Sequence, residues 1–195
     1  MKAPVITLHK YELDLCASAA KKRHSNGRKN NRKDVSSTAH SAFIIDLIGV
    51  CGEVALMHYF NLDVDWQDMK TAFGTTDVAD CWEVRSVSQH HYHLCMWTGG
   101  GADETKIKKK LMSGWSKVVV NVIPYQRATC VLDGWAFGYD MRDFGDIASE
   151  SNSPFHTNRI QRPSLTFNNY YLRPHVSPEE DMATVRFLRE AFANQ

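Results

Sequence analysis

Asp77, Glu83 and Arg85 stand as D-x5-E-x-R, and a further acid, Glu53, closes the upstream run GVCGE. In an extended segment Glu83 and Arg85 are two apart, so they point to the same face. Two carboxylates with the Val84 carbonyl beside them present hard oxygen donors suited to Mg²⁺ or Mn²⁺. A cation fixed next to such a set holds a phosphate or orients a water, which is equipment for hydrolysing a phosphodiester bond. Asp80 competes with Asp77 for the same role, because a one-residue bulge exchanges which carboxylate faces the metal. The plainer alternative is a charged β-hairpin with Glu83 and Arg85 in a surface ion pair. The choice between them turns on the elements that carry these residues.

Glu53 belongs to SSTAHSAFIIDLIGVCGEVALMHYF, whose spacing predicts a helix from Thr38 to Phe60 with Ser37 or Thr38 as its cap. Apolar residues lie on nearly every side, so this helix is expected to be largely buried. Asp46 and Glu53 are seven residues apart and share one narrow stripe, next to Gly49 and Gly52, where another backbone can come close. A glutamate there is costly unless it is paired or near a cation. Residues 61–76 read as a polar connection. Val78, Cys81, Trp82 and Val84 then suit a strand or tight hairpin. QHHYHLCMW, residues 89–97, reads as a second strand, and 103–115 as a basic helix with Ile107, Leu111 and Trp115 at helical spacing. VVVNVI at 118–123 has the character of a buried strand. Residues 128–138 predict a further strand bent at Gly134, and Asp140 to Asn169 shows no strong periodicity. A closing helix is signalled by Ser177 as N-cap, Pro178 at its first position and Glu180 in a capping box. The fold class expected is α/β or α+β, a sheet with helices on its faces.

The chain has 195 residues, 43% of them hydrophobic, enough for one domain spanning 1–195 with a real core. The five cysteines are scattered and never spaced as CxxC, which argues against a disulfide framework or a thiolate zinc ribbon. No window of about 18 apolar residues survives, and the first residues lack the apolar region of a leader, so a cytoplasmic protein without a membrane segment is expected. Residues 1–40 hold nine Lys/Arg against three Asp/Glu, and the remainder 14 against 19. The positive excess concentrates in KKRHSNGRKNNRKD and reads as a basic, flexible loop over 18–36. Its Lys21, Lys22, Arg23, Arg28, Lys29, Arg32 and Lys33 are candidate phosphate contacts, although a charge run alone also suits a merely solvated segment. His91, His93 and Cys95 alternate on one strand face, yet no fourth residue is spaced to complete a structural zinc site. The tryptophans sit among strand-forming neighbours and suit a core better than a stacking platform.

The combination resembles the PD-(D/E)xK nuclease superfamily, and more closely its small phage and bacterial members with a G-x-x-G-E-x-A helix followed by a D…E-V-K or E-V-R strand pair. The matching residues are GVCGEVA at 49–55, Asp77, and EVR at 83–85. VVVNVI with VLDGWAFG resembles the paired strands after the motif, and NNYYLRPHVSP at 168–178 resembles a C-terminal strand, so the likeness spans roughly residues 38–178. It implies a restriction-endonuclease-like mixed sheet flanked by helices and a Mg²⁺- or Mn²⁺-dependent DNA nuclease, an endonuclease, phage-encoded. It also implies that Asp77 and Glu83, with the Val84 carbonyl, bind the metal, and that Glu53 binds a second ion or holds a metal-bound water. Arg85 then occupies the place of the motif lysine. A guanidinium stays charged, so Arg85 orients a water or stabilises charge but does not act as base. The departure also fits a catalytically inactive relative that binds nucleic acid or a host protein. The resemblance leaves open DNA or RNA, duplex or single strand, and a homodimer as the cutting form.

Overall fold

The computed structural model describes residues 2–29, 42–67, 69, 78–90, 93–97, 104–147 and 164–193. Strand β1 (Val5–His9) runs directly into helix α1 (Lys10–Lys29), and helix α2 (Ala42–Tyr59) follows. Strands β2 (Trp82–Val87) and β3 (Leu94–Trp97), helix α3 (Glu104–Leu111) and the long strands β4 (Gly114–Ile123) and β5 (Arg127–Phe137) come next. Helix α4 (Gly138–Phe144), short strands β6 (Asp146–Ile147) and β7 (Ser164–Phe167), a 3-10 turn (Asn169–Tyr171) and helix α5 (Pro178–Ala193) complete the order.

The main sheet has the order β1-β5-β4-β2 and is mixed: β2 runs parallel to β4, whereas β4 with β5 and β5 with β1 are antiparallel. A smaller antiparallel sheet, β3-β7-β6, accompanies it. Strand alternation sorts the core. Trp82, Val84, Val118, Val120, Cys130 and Leu132 face α1, α2 and Val185 of α5 in the larger apolar cluster. Trp115 and Ala136 face the other way and pack with Leu94, Met96 and Met141. Trp82 and Trp115 are fully buried, each contributing on the order of 2–3 kcal/mol by area removed from water.

Helix α2 is buried without interruption from Val50 to Leu56, as its all-round apolar sequence requires. Its start lies at Ala42; residues 38–41 of the expected helix lie outside the described residues. Gly52 is where β2 comes close: a Cβ there would stand 1.9 Å from the Ser86 Oγ, whereas one on Gly49 would meet nothing within 4 Å. In β5, Gly134 adopts φ 143°, a value an L side chain resists, opposite a register shift between Lys117 and Val118. The bend expected at Gly134 is therefore a β-bulge.

Several expectations are corrected. The basic stretch expected as a flexible loop over 18–36 is helical up to Lys29, because Leu13, Cys16 and Ala20 form a buried stripe that packs α1 on α2 and leaves its lysines outward; residues 30–36 lie outside the described residues. The helix expected over 103–115 stops at Leu111, and Trp115 is a strand residue of the second core. The strand expected at 168–178 is a 3-10 turn followed by one bridge, Arg173 to Trp135; Pro174, lacking an N–H, cannot extend a ladder. Strand β3 is confined to the end of the stretch expected at 89–97.

Candidate functional site

The hairpin that presents Glu83 is closed by two backbone bonds, Val78 N to Trp82 O and Trp82 N to Val78 O, both 3.0 Å. Its turn holds Ala79 (φ 51°) and Asp80 (φ 57°) in the left-handed region, at roughly 1–2 kcal/mol for a residue other than glycine. Asp80 is exposed at the tip, outside the ladder, and its carbonyl accepts from Arg189 Nη1 of α5 at 3.3 Å. Cys81 packs inward, its Sγ 3.6 Å from Met182 Sδ. Burial raises the Cys81 thiol pKa, with Arg189 and Arg186 opposing the shift.

Glu83 pairs in register with Trp115 and is 8% exposed. Because Ser86 faces α2, alternation turns Glu83 and Arg85 to the opposite face. Arg85 lies over the Trp115 ring, 5.1 Å from its centroid, and its Nε donates to Cys95 O at 3.0 Å. The two motif side chains thus share a face, as the sequence requires. Lys117, the register partner of Arg85, is on that face too and fully buried. Its Nζ donates to Asp133 Oδ2 (2.7 Å) and His90 O (2.6 Å).

Glu53 sits on α2 and meets Arg23 of α1 in a two-pronged pair: Nη1 to Oε1 at 2.7 Å and Nη2 to Oε2 at 2.6 Å, with side chains 12% and 11% exposed. Arg23 Nε also donates to Met69 O at 2.5 Å. Arg23, expected among the phosphate contacts, is thereby committed to an internal ion pair. Both carboxylate oxygens of Glu53, expected beside a metal, accept from that guanidinium. Two-pronged geometry of this kind is stronger and more directional than a point contact. Lys21 and Lys22 are exposed on α1. The side chains of Arg28 and Lys29, and all of Asp77, Arg32, Lys33 and His91, lie outside the described residues. Among the described residues no group of three His, Cys, Asp or Glu is placed to hold a metal ion.

One constellation had no sequence signal. Ser116 Oγ lies 3.1 Å from His175 Nε2, and His175 Nδ1 lies 2.6 Å from Asp181 Oδ2, which also accepts from the Tyr59 hydroxyl at 2.9 Å. The order Ser–His–Asp matches that of a hydrolytic triad. Ser116 is 0% and His175 3% exposed, so no substrate reaches the hydroxyl; the chain of bonds ties β4, α2 and α5 together instead. Burial first, then Asp181, holds the Tyr59 hydroxyl above the usual tyrosine range. Only His175 and Asp181, six residues apart, are neighbours in the chain; Ser116 and Tyr59 come from distant elements, so no local spacing spells out the set.

Comparison with family models, with curated proteins and with solved structures finds no match to this chain. Among the described residues no helix is long and apolar enough to cross a membrane.

Proposed function

We propose that the chain is a metal-dependent nuclease of PD-(D/E)xK type, acting on DNA or RNA, with the mixed sheet as its restriction-endonuclease-like core. The observation that carries this reading is that Glu83, only 8% exposed, and Arg85 of the E-V-R run stand on one face of a strand within the mixed sheet. Glu83 fits a divalent ion by its chemistry, being a nearly buried hard oxygen donor with the Val84 carbonyl next in the chain. Asp77, Glu83 and that carbonyl would hold Mg²⁺ or Mn²⁺. When bound, the ion supplies charge neutralisation at the phosphate and acidifies a water.

The chain's own groups do the rest. Glu53 acts through Arg23, which also grips the Met69 carbonyl and so ties α1, α2 and Met69 together; this replaces the role of ion ligand expected for Glu53. Arg85 stays charged beside Glu83 and steadies negative charge without exchanging a proton. Lys21 and Lys22, exposed on α1, offer phosphate contacts whose strength falls as salt rises. The family likeness accords with a cytoplasmic phage protein and with a homodimer for cutting two strands.

A second reading has its own support. Arg85 is laid on Trp115 and bonded to Cys95 O, which suits a protein that kept the fold and binds nucleic acid or a host protein without cutting it. Incubating the protein and Glu83→Gln with supercoiled, linear and single-stranded DNA and with RNA, in Mg²⁺, Mn²⁺ or EDTA, separates the two. The nuclease reading expects divalent-dependent cleavage that the variant loses. Absence of cleavage with every substrate and both metals overturns it.

A further inference from the structure

The end of helix α2 shapes a groove on the helical side of the sheet. Asn61 takes φ 53° and closes the helix with two bonds, Leu62 N to Met57 O at 2.9 Å and Asn61 N to His58 O at 3.1 Å. This paired arrangement ends a helix and turns the chain sharply. Beyond the turn, Val64 and Trp66 pack on the larger apolar cluster and hold the segment in place. On the α1 side Glu12 is fixed: its Oε1 lies 2.7 Å from His58 Nε2, and its Oε2 accepts from His9 N at 3.1 Å. The groove between α1 and this segment encloses about 550 Å³, inside the roughly 300–1,000 Å³ of sites that hold a whole small molecule.

Its lining has two carboxylates, Glu12 and Asp63, and no lysine or arginine, so it is net negative whichever way His58 is protonated. The side chains of Tyr11, Asn61, Asp63 and Trp66, all in that lining, have no hydrogen-bond or ion-pair partner among the described residues. Tyr11 is 74% exposed and Trp66 half-buried, which leaves ring surface open to a ligand. From this set we infer that the groove binds a small organic cation, an alkylammonium of the diamine or polyamine kind. Carboxylates give charge-assisted hydrogen bonds to an ammonium group, aromatic faces attract the same cation, and Leu15, Leu62 and Val64 offer apolar surface to its methylene stem. The two acids repel phosphate, so the occupant is not the nucleic acid of the reading above, and the inference stands or falls apart from that reading. A lysine side chain from another protein shares the chemistry, but one such chain would fill only part of the volume, which favours a free molecule.

The test is isothermal titration calorimetry of the full chain with spermidine, cadaverine and Nα-acetyl-lysine amide at low salt, with pentanediol as the uncharged control. Both amines are expected to bind one to one, cadaverine more tightly than the lysine amide, and pentanediol not at all. Asp63→Asn should weaken amine binding about tenfold or more, because it removes a charged acceptor at nearly constant size. Tyr11→Ala should weaken it about two- to fivefold through the lost ring face, and Tyr11→Phe should bind as the parent does. Glu190→Gln, at an exposed acid of α5 outside the groove, should change nothing. Thermal melting of these variants should coincide with that of the parent, since Tyr11, Asp63 and Glu190 are exposed. Equal weakening by Asp63→Asn and Glu190→Gln assigns the heat to diffuse charge and overturns the inference. A lysine amide that binds as tightly as cadaverine gives the groove to a protein side chain and overturns it too. So does pentanediol binding on a par with the amines, or the absence of saturable binding of either amine at millimolar concentration.

Discussion

Asp181→Ala should cost more stability than any single contact in its neighbourhood implies. The carboxylate is 2% exposed and accepts from three donors: His175 Nδ1 at 2.6 Å, the Tyr59 hydroxyl at 2.9 Å and Val176 N at 3.3 Å. Alanine leaves all three without an acceptor. The imidazole is as buried as the carboxylate, so its stranded N–H costs about 1–3 kcal/mol. Tyr59 is half-exposed and recovers part of its loss from water, and the backbone N–H bond is long. Together with the disturbed Ser116 contact, the expected cost is about 3–5 kcal/mol, the range found when one partner of a buried charged network is removed. For a chain of this size each kcal/mol lowers the melting temperature by about 2–4 °C, so a drop of roughly 6–20 °C is expected. Asp181→Asn retains acceptors for two donors and should fall by less than half as much. Urea unfolding of both variants, with His175→Ala and the double variant to close a cycle, measures this. A loss below about 1 kcal/mol for Asp181→Ala, or strict additivity with His175→Ala, refutes the view that these groups act as one unit.

Two further expectations follow from buried groups and close packing. Burial pushes the Cys130 thiol up to about 12, and burial with Asp181 also raises Tyr59. A group raised on folding stabilises fully below its unfolded value, about 8.5 for a thiol, and that stability is lost as pH climbs toward the folded value. Unfolding free energy should therefore hold from pH 7 to about 8.5 and decline above it, with Cys130→Ala shallower between there and 12; a flat profile contradicts this. Gly52→Ala would drive a Cβ to 1.9 Å from Ser86 Oγ, so it should destabilise by about 1–3 kcal/mol. Ser86→Ala should recover part of that in the double variant by chemical denaturation, and a full additive loss argues against the contact.

The elements with strong local grammar were legible. The all-apolar run of α2, the valines of β4, the bend at Gly134 and the start of α5 are present, and Ser177 Oγ accepts from Glu180 N at 3.2 Å as its capping sequence requires. What escaped was whatever depends on distant partners. The charge of KKRH masks the Leu13–Cys16–Ala20 stripe, so the sequence over 18–29 has the character of a loop although it is the second half of α1, and β1 is only an edge whose partner lies in β5. Helix α4 and strands β6 and β7 are too short to show a period. In the site, Glu83 and Arg85 share a face because side chains two apart in a strand must. That Glu53 belongs to Arg23 was unreadable, since only the packing of α1 on α2 brings those positions together.

The pairing of Val5 with Val131 also sets a timetable for synthesis. A ribosome releases the first strand long before its neighbour exists, so helices α1 and α2 can pack while β1 waits unpaired with its backbone groups in water. Only when β5 leaves the exit tunnel can the sheet take up its outer edge, a closure that long sequence separation makes slow. Until then that edge is open to foreign strands, and newly made chains would be most exposed to misassembly in that interval.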